Sequence, residues 1–140
     1  MSTTLKAEKL LTIRFSEVDS MNVVWHGTYP LYLEDAREYF GALYGLDYMT
    51  IYNNGYFAPI VELNIKYHKP LRYGMLPKVV ITYRPTEAAK IIFDYEIIDT
   101  TTNEKTLTAT SVQIFTDKNQ ILMWDNPTFY TEWKKAHNLI

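Results

Sequence analysis

Residues 14–29 have the sequence RFSEVDSMNVVWHGTY and connect a strand-like segment to a helical one. Asp19 comes just after an alternating segment, and His26 lies seven residues later, at the expected start of a helix. The first backbone N–H groups of a helix have no partner within the helix. A carboxylate, an imidazole and free N–H donors suit attack on a carbonyl group, because the developing oxyanion needs donors opposite the nucleophile or base. The stretch therefore indicates a candidate active site for carbonyl chemistry.

The composition predicts one folded domain over residues 1–140, because 47% of the residues are hydrophobic and 21% are charged. A net charge of −2 without a basic block argues against a nucleic-acid partner. The chain has no cysteine, which excludes a thiolate nucleophile, a thiolate zinc site and a disulfide framework. Residues 1–11 lack a long apolar run, so we expect no signal peptide and no membrane span, with the cytoplasm as the default location.

Apolar periodicity places the first strand and the helix around this stretch. Alternation from Leu11 through Ile13 to Phe15 predicts the first strand, and residues 16–27 are predicted to be a loop. Thr28 and Pro30 suit a helix start, and Gly45 suits its end. The expected buried stripe of this helix consists of Tyr29, Leu33, Ala36, Phe40 and Leu43.

Beyond the helix the pattern becomes that of strands with hairpin spacing. Residues 61–68, 79–83, 91–97 and 107–115 each alternate, and a short helix is expected to end near Ala136. The order predicts an α+β fold with an antiparallel five-stranded sheet and one long helix. Because one helix cannot cover such a sheet and its edges need pairing, we expect a homodimer or homotetramer.

These elements, together with the motif, resemble the hotdog-fold acyl-CoA thioesterases of the 4-hydroxybenzoyl-CoA thioesterase type, most closely their Tol-Pal-associated branch. The resemblance runs from about Thr12 to Asp117 and is sharpest at Asp19, residues 23–26, Tyr29 and residues 32–37; residues 65–70 also match. It implies a sheet wrapped around a central helix, hydrolysis of an acyl-CoA or acyl-carrier thioester, no cofactor, and an active site at a subunit interface.

The resemblance also implies roles for single residues. Asp19 matches the catalytic carboxylate, which acts as nucleophile or general base, and His26 matches an assisting histidine whose backbone N–H lies near the thioester carbonyl. Tyr29 matches a mainly structural aromatic residue, and Asn22 replaces the usual glycine. We expect the substrate to contact Val24, Trp25, Gly27, Tyr29, Lys66, Lys69 and Arg72.

Other interpretations of the same residues stay open at this stage. The alternative for Asp19 is a plain loop residue that bonds its own backbone turn, and Glu17 is expected to be a solvated loop charge. The basic residues at 66, 69 and 72 either meet the phosphates of a CoA-like carrier or form a solvated face. The aromatic residues between 44 and 57 line an acyl pocket or pack in the core.

Rival functions are a hydratase or dehydratase acting on acyl thioesters and a non-catalytic acyl-thioester binder. No metal-ligand spacing is present.

Overall fold

The computed structural model describes residues 4–140 and contains the expected antiparallel sheet. Its five strands are β1 (Lys6–Leu10), β3 (Ile60–Tyr67), β4 (Pro77–Arg84), β5 (Lys90–Asp99) and β6 (Glu104–Ile114), in the order β1-β4-β5-β6-β3. Two short strands, β2 (Tyr56–Phe57) and β7 (Thr116–Asp117), pair separately. The predicted α+β class and five-stranded sheet are confirmed.

The long helix α1 (Tyr29–Tyr44) begins and ends where the sequence predicts. Pro30 lies in its first turn, and Gly45 ends it with a left-handed φ of 78°, a conformation in which glycine has no steric penalty. Four of the five stripe residues are buried, but Leu43 is 55% exposed. Tyr32 is buried in the stripe instead. Leu43 was wrongly assigned because the next residue, Tyr44, packs against the core in its place, with its ring centroid 4.6 Å from that of Phe40.

The first strand lies earlier than the alternation of residues 11–16 indicates. Leu11 and Ile13 are buried, yet they follow β1 in a connecting segment, and Phe15 is 76% exposed in a short 3₁₀ turn (Phe15–Glu17). The actual strand, β1, is an edge strand with charged residues at Lys6 and Glu8. Its apolar alternation is too short to stand out, because Ala7 is the only buried residue of the strand.

Two further helices complete the fold. Helix α2 (Tyr48–Asn53) begins at Asp47, whose side chain accepts hydrogen bonds from the N–H and the hydroxyl of Thr50; these bonds, chiefly the hydroxyl, lower the pKa of Asp47. Helix α3 (Thr128–Ala136) ends at the predicted residue and buries Tyr130 and Trp133. Both rings pack into the core that α1 and the sheet share.

Helix α1 covers only part of the sheet. It contacts β1 and β4, whereas β3 lies at the opposite edge of the sheet. On the inner face of β3, Leu63 and Tyr67 are 39% and 52% exposed, and Val61, at the bulge near the start of the strand, is 56% exposed. This chain therefore leaves an apolar strip bare along one edge.

Candidate active site

Asp19 lies at the start of a tight loop that its own side chain stabilises. One carboxylate oxygen, Oδ1, accepts hydrogen bonds from the N–H groups of Met21 (2.8 Å) and Val23 (3.2 Å). The other oxygen, Oδ2, has no hydrogen bond to any residue in the range 4–140. Asn22 adopts φ 60°, and its Oδ1 accepts from the N–H of Tyr73 at 3.2 Å. The turn interpretation of Asp19 is therefore confirmed, and one oxygen remains free for chemistry.

Residues 71–73 hold the far side of this loop. The N–H of Val24 donates to the carbonyl of Leu71 at 2.8 Å, and the N–H of Leu71 donates to the hydroxyl of Tyr29 at 3.1 Å. Burial raises the pKa of Tyr29, so this hydroxyl stays protonated. Arg72 places Nη1 3.4 Å from the carbonyl of Met21. Leu71 thus joins Val24 to Tyr29, and Arg72 contacts the loop that carries Asp19.

The chain returns next to Asp19 and then enters the helix. Val18 pairs with Val24 in an antiparallel bridge, so Asp19 begins the loop and Trp25 ends it. The carbonyl of Trp25 accepts from the N–H of Thr28 at 2.9 Å. In the described part of the chain, the N–H groups of His26 and Gly27 make no hydrogen bond. Both amides lie at the entry to α1, the positive end of its dipole, and can bind an oxyanion.

Trp25 and Gly27 pack closely together. A Cβ atom added at Gly27 would lie 2.3 Å from Cζ3 of Trp25, which is far shorter than a van der Waals contact. The indole is 57% exposed, and its ring centroid lies 5.2 Å from that of the exposed His26 ring. The missing side chain at position 27 therefore lets the indole lie across the entry to the helix.

Glu17 supports the site, and the expectation of a solvated charge is wrong. Its Oε1 accepts from the N–H of Arg14 and from the hydroxyl of Tyr32, both at 2.8 Å, and its carbonyl accepts from the N–H of Trp25. Burial, followed by this bond to Glu17, raises the pKa of Tyr32 well above its usual range. The alternating pattern of the sequence gave no sign that a buried tyrosine would reach this carboxylate.

The three predicted basic residues contact different partners. Lys69 forms an ion pair with Glu104, Lys66 is exposed on β3, and Arg72 lies beside the Asp19 loop. Arg72 is the member of the three whose side chain reaches that loop.

A cavity of about 820 Å³ lies between α1, α2, β2 and the inner face of β5 and β6. Tyr48, Tyr56 and Phe57 line it, whereas Tyr44 and Tyr52 do not. Arg37 and Gln113 also line it, and neither residue was predicted to contact the substrate. The signal for Gln113 was its position in β6, where it shares the inward face with Leu107, Ala109, Ser111 and Phe115.

Residues 4–140 contain neither a metal-binding cluster nor a membrane-spanning helix. No three His, Asp or Glu side chains lie close enough together to hold a metal ion. None of the described helices is both long enough and apolar enough to span a bilayer.

Comparison with known proteins identifies the family. The model of the thioesterase-like superfamily matches residues 13–134, so the chain belongs to this superfamily. The chain is 28% identical to a putative acyl-CoA thioesterase, YneP, from Bacillus subtilis over 94% of each protein. It is 30% identical to the chloroplastic acyl-acyl carrier protein thioesterase ATL3 from Arabidopsis thaliana, over 76% of this chain and 56% of that protein.

The fold has a close structural counterpart. The DHNA-CoA thioesterase from Staphylococcus aureus superposes with a TM-score of 0.82 at 22% identity, over 96% of this chain and 92% of that one. The predicted hotdog fold and the predicted class of enzyme, a thioester hydrolase, are confirmed. Assignment to the Tol-Pal-associated branch stays a prediction.

Proposed function

We propose that this protein hydrolyses an acyl-CoA, or an acyl group on a similar carrier, to a free acid and a thiol, with Asp19 as its essential residue. The observation that carries the proposal is the free Oδ2 of Asp19 in the same loop as the unbonded amides of His26 and Gly27. The named relatives, one an acyl-CoA and one an acyl-carrier thioesterase, support a thioester substrate.

The chemistry follows from the two halves of this loop. The thioester carbonyl oxygen accepts from the N–H groups of His26 and Gly27, which hold the negative charge that develops on it. Oδ2 of Asp19 either attacks the carbonyl carbon directly or takes a proton from an attacking water. The C–S bond then breaks, and the thiolate leaves and is protonated. On the direct route, water then hydrolyses the acyl–Asp19 anhydride, which releases the free acid and regenerates the carboxylate; on the water route, the free acid forms in the same step. The imidazole of His26 assists, while its backbone supplies the larger effect.

The proposed substrate contacts surround this centre. Val24 and Tyr29 hold the loop through their hydrogen bonds to Leu71, and the exposed indole of Trp25 lies at its entrance. Arg72 is the cation best placed to meet the carrier phosphates because it already reaches the loop. Lys66 and Lys69 extend that positive surface away from the loop.

A second copy of the chain would complete the site. The ring of Tyr67, at the end of β3, lies 5.2 Å from that of Tyr29, so the bare edge of the sheet adjoins the helix start. Pairing of two β3 strands would cover the exposed Val61 and Leu63 and satisfy the free strand edge. We therefore propose a homodimer, or a homotetramer built from two such dimers, with the active sites beside the interface.

A thiol-release assay with a panel of aliphatic and aromatic acyl-CoAs tests the function. Thiol release with at least one ester, lost in Asp19→Asn, is the expected result. Hydration or dehydration of the acyl chain without thiol release would establish the rival enzyme class. Tight binding of the esters without any reaction would establish the non-catalytic binder.

A further inference from the structure

The cavity beside α1 has many apolar and aromatic wall residues, and its polar lining residues are Glu34, Arg37, Glu38, Gln113, Thr116 and Gln120. Two of these, Arg37 and Gln113, hold a buried side-chain atom without a hydrogen-bond partner in the described residues. Leu46, Ile51, Ile91 and Phe93 form much of the wall. An acyl chain fits such a surface because transfer from water to an apolar wall is favourable. Polar atoms buried among such walls carry a free-energy cost unless they find a partner.

Gln113 is the first of the two polar groups. It is 2% exposed, and its Nε2 donates to the carbonyl of Ala58 at 2.7 Å. This bond fixes the orientation of the amide, because only the nitrogen can donate to a carbonyl. The remaining atom, Oε1, is buried and has no hydrogen-bond partner within residues 4–140. Gln113 thus holds an unused acceptor at the cavity.

Arg37 is the second polar group and has the opposite character. Its Nη2 donates to Glu34 at 2.7 Å, but its Nε–H is buried without a partner in the same described range. Arg37 and Gln113 both line the cavity, so its wall holds one buried donor and one buried acceptor without a partner in the described residues. A hydroxyl group satisfies both, since it accepts one hydrogen bond and donates another.

The distance from the proposed oxyanion site decides where such a hydroxyl would be on a substrate. Arg37 lies ten residues after Gly27, which is about 15 Å along the helix axis. A helical side chain leans back toward the N-terminus, so the gap between the reacting carbonyl and the Arg37 guanidinium is on the order of 10 Å. A hydroxyl next to the thioester would not reach it.

We propose that this cavity takes the acyl chain of the substrate and that Arg37 and Gln113 bind a hydroxyl group on that chain, remote from the thioester. The preferred substrate is then a medium-chain hydroxyacyl thioester. This inference rests on the proposed thioesterase function for its turnover assay, although binding to the cavity is measurable separately.

The turnover test compares decanoyl-CoA with ω-hydroxydecanoyl-CoA. We expect kcat/KM to favour the hydroxylated ester by roughly ten- to a hundredfold, as for a hydrogen bond to a charged group in a buried site. Gln113→Leu should abolish most of this preference. Thr116→Val is the matched control, because Thr116 lines the same cavity but its hydroxyl already donates to the carbonyl of Asp117, and this variant should keep the preference.

The preference is the ratio of kcat/KM for the two esters, and both values are measured on the same variant. A loss of stability in Gln113→Leu lowers both values by the same factor, so it leaves the ratio unchanged. Calorimetric binding of decanoate and ω-hydroxydecanoate to the wild-type chain gives a readout that needs no catalysis. Equal turnover of the two esters would overturn the hydroxyl site but not the proposed thioesterase function. Water would then be the partner of Arg37 and Gln113. Tighter binding of the hydroxylated acid without any thiol release would support the site and overturn the proposed function.

Discussion

Replacing Asp19 by Asn tests the proposed chemistry with little change in structure. Asn retains an acceptor oxygen at the position of Oδ1, so the bonds from Met21 and Val23 at 2.8 and 3.2 Å are kept. The change removes the charge and the basicity of the free Oδ2. Loss of a positioned base or nucleophile typically lowers a rate by about a hundredfold or more, which corresponds to roughly 2.7 kcal/mol of transition-state stabilisation.

Glu17→Gln is the matched control for this experiment. Glu17 lies two residues away, and its Oε1 already accepts from Arg14 and Tyr32, bonds that an amide oxygen can keep. We expect its kcat to stay within a few-fold of wild type. Both variants are assayed by thiol release, with circular dichroism to check folding. A folded Asp19→Asn protein with near-wild-type turnover, or equal losses in both variants, would refute the assignment of Asp19.

Four further outcomes are expected. His26→Ala should lower kcat less than loss of the Asp19 charge does, because the backbone N–H at position 26 remains; the reverse order in the thiol-release assay would exchange the two roles. Light scattering at micromolar concentration should show a dimer or larger, and a 16.5 kDa monomer would contradict the shared interface. Raising the salt concentration should raise the KM for an acyl-CoA, and the Lys69→Ala, Arg72→Ala double variant should raise it further at similar kcat; an unchanged KM would place the carrier site elsewhere. Lys134→Met should lower the urea-derived free energy of unfolding by roughly 1–3 kcal/mol, since the buried ammonium bonds three oxygen atoms that would lose their donor; no change would show that water replaces it.

The long helix was predictable because its signals are local. Pro30 and Gly45 restrict the backbone at its two ends whatever lies around them, and the apolar spacing between them has one interpretation. The first strand was not predictable in the same way. Leu11 and Ile13 are buried in the core although they lie outside the strand. Apolar alternation therefore identified which residues are buried, but not which residues form the hydrogen bonds of the sheet.

The candidate site likewise has one part that was predictable from the sequence and one part that was not. The position of Asp19 followed from the motif, and the structure adds which of its oxygens is free. The supporting contacts join residues far apart in the chain, such as Asn22 with Tyr73 and Glu17 with Tyr32. No local pattern encodes such a pair, because its geometry exists only once the helix and the loops have packed.

The contact between Trp25 and Gly27 links the two positions in any variant of this chain. Alanine at position 27 would place its methyl group inside the indole, whereas a small residue at position 25 would leave room for it. The penalties of Gly27→Ala and Trp25→Ala should therefore not add in a double-mutant cycle, because the second change relieves the clash that the first creates. Varying the two positions together therefore allows side chains at position 27 that the indole of Trp25 excludes.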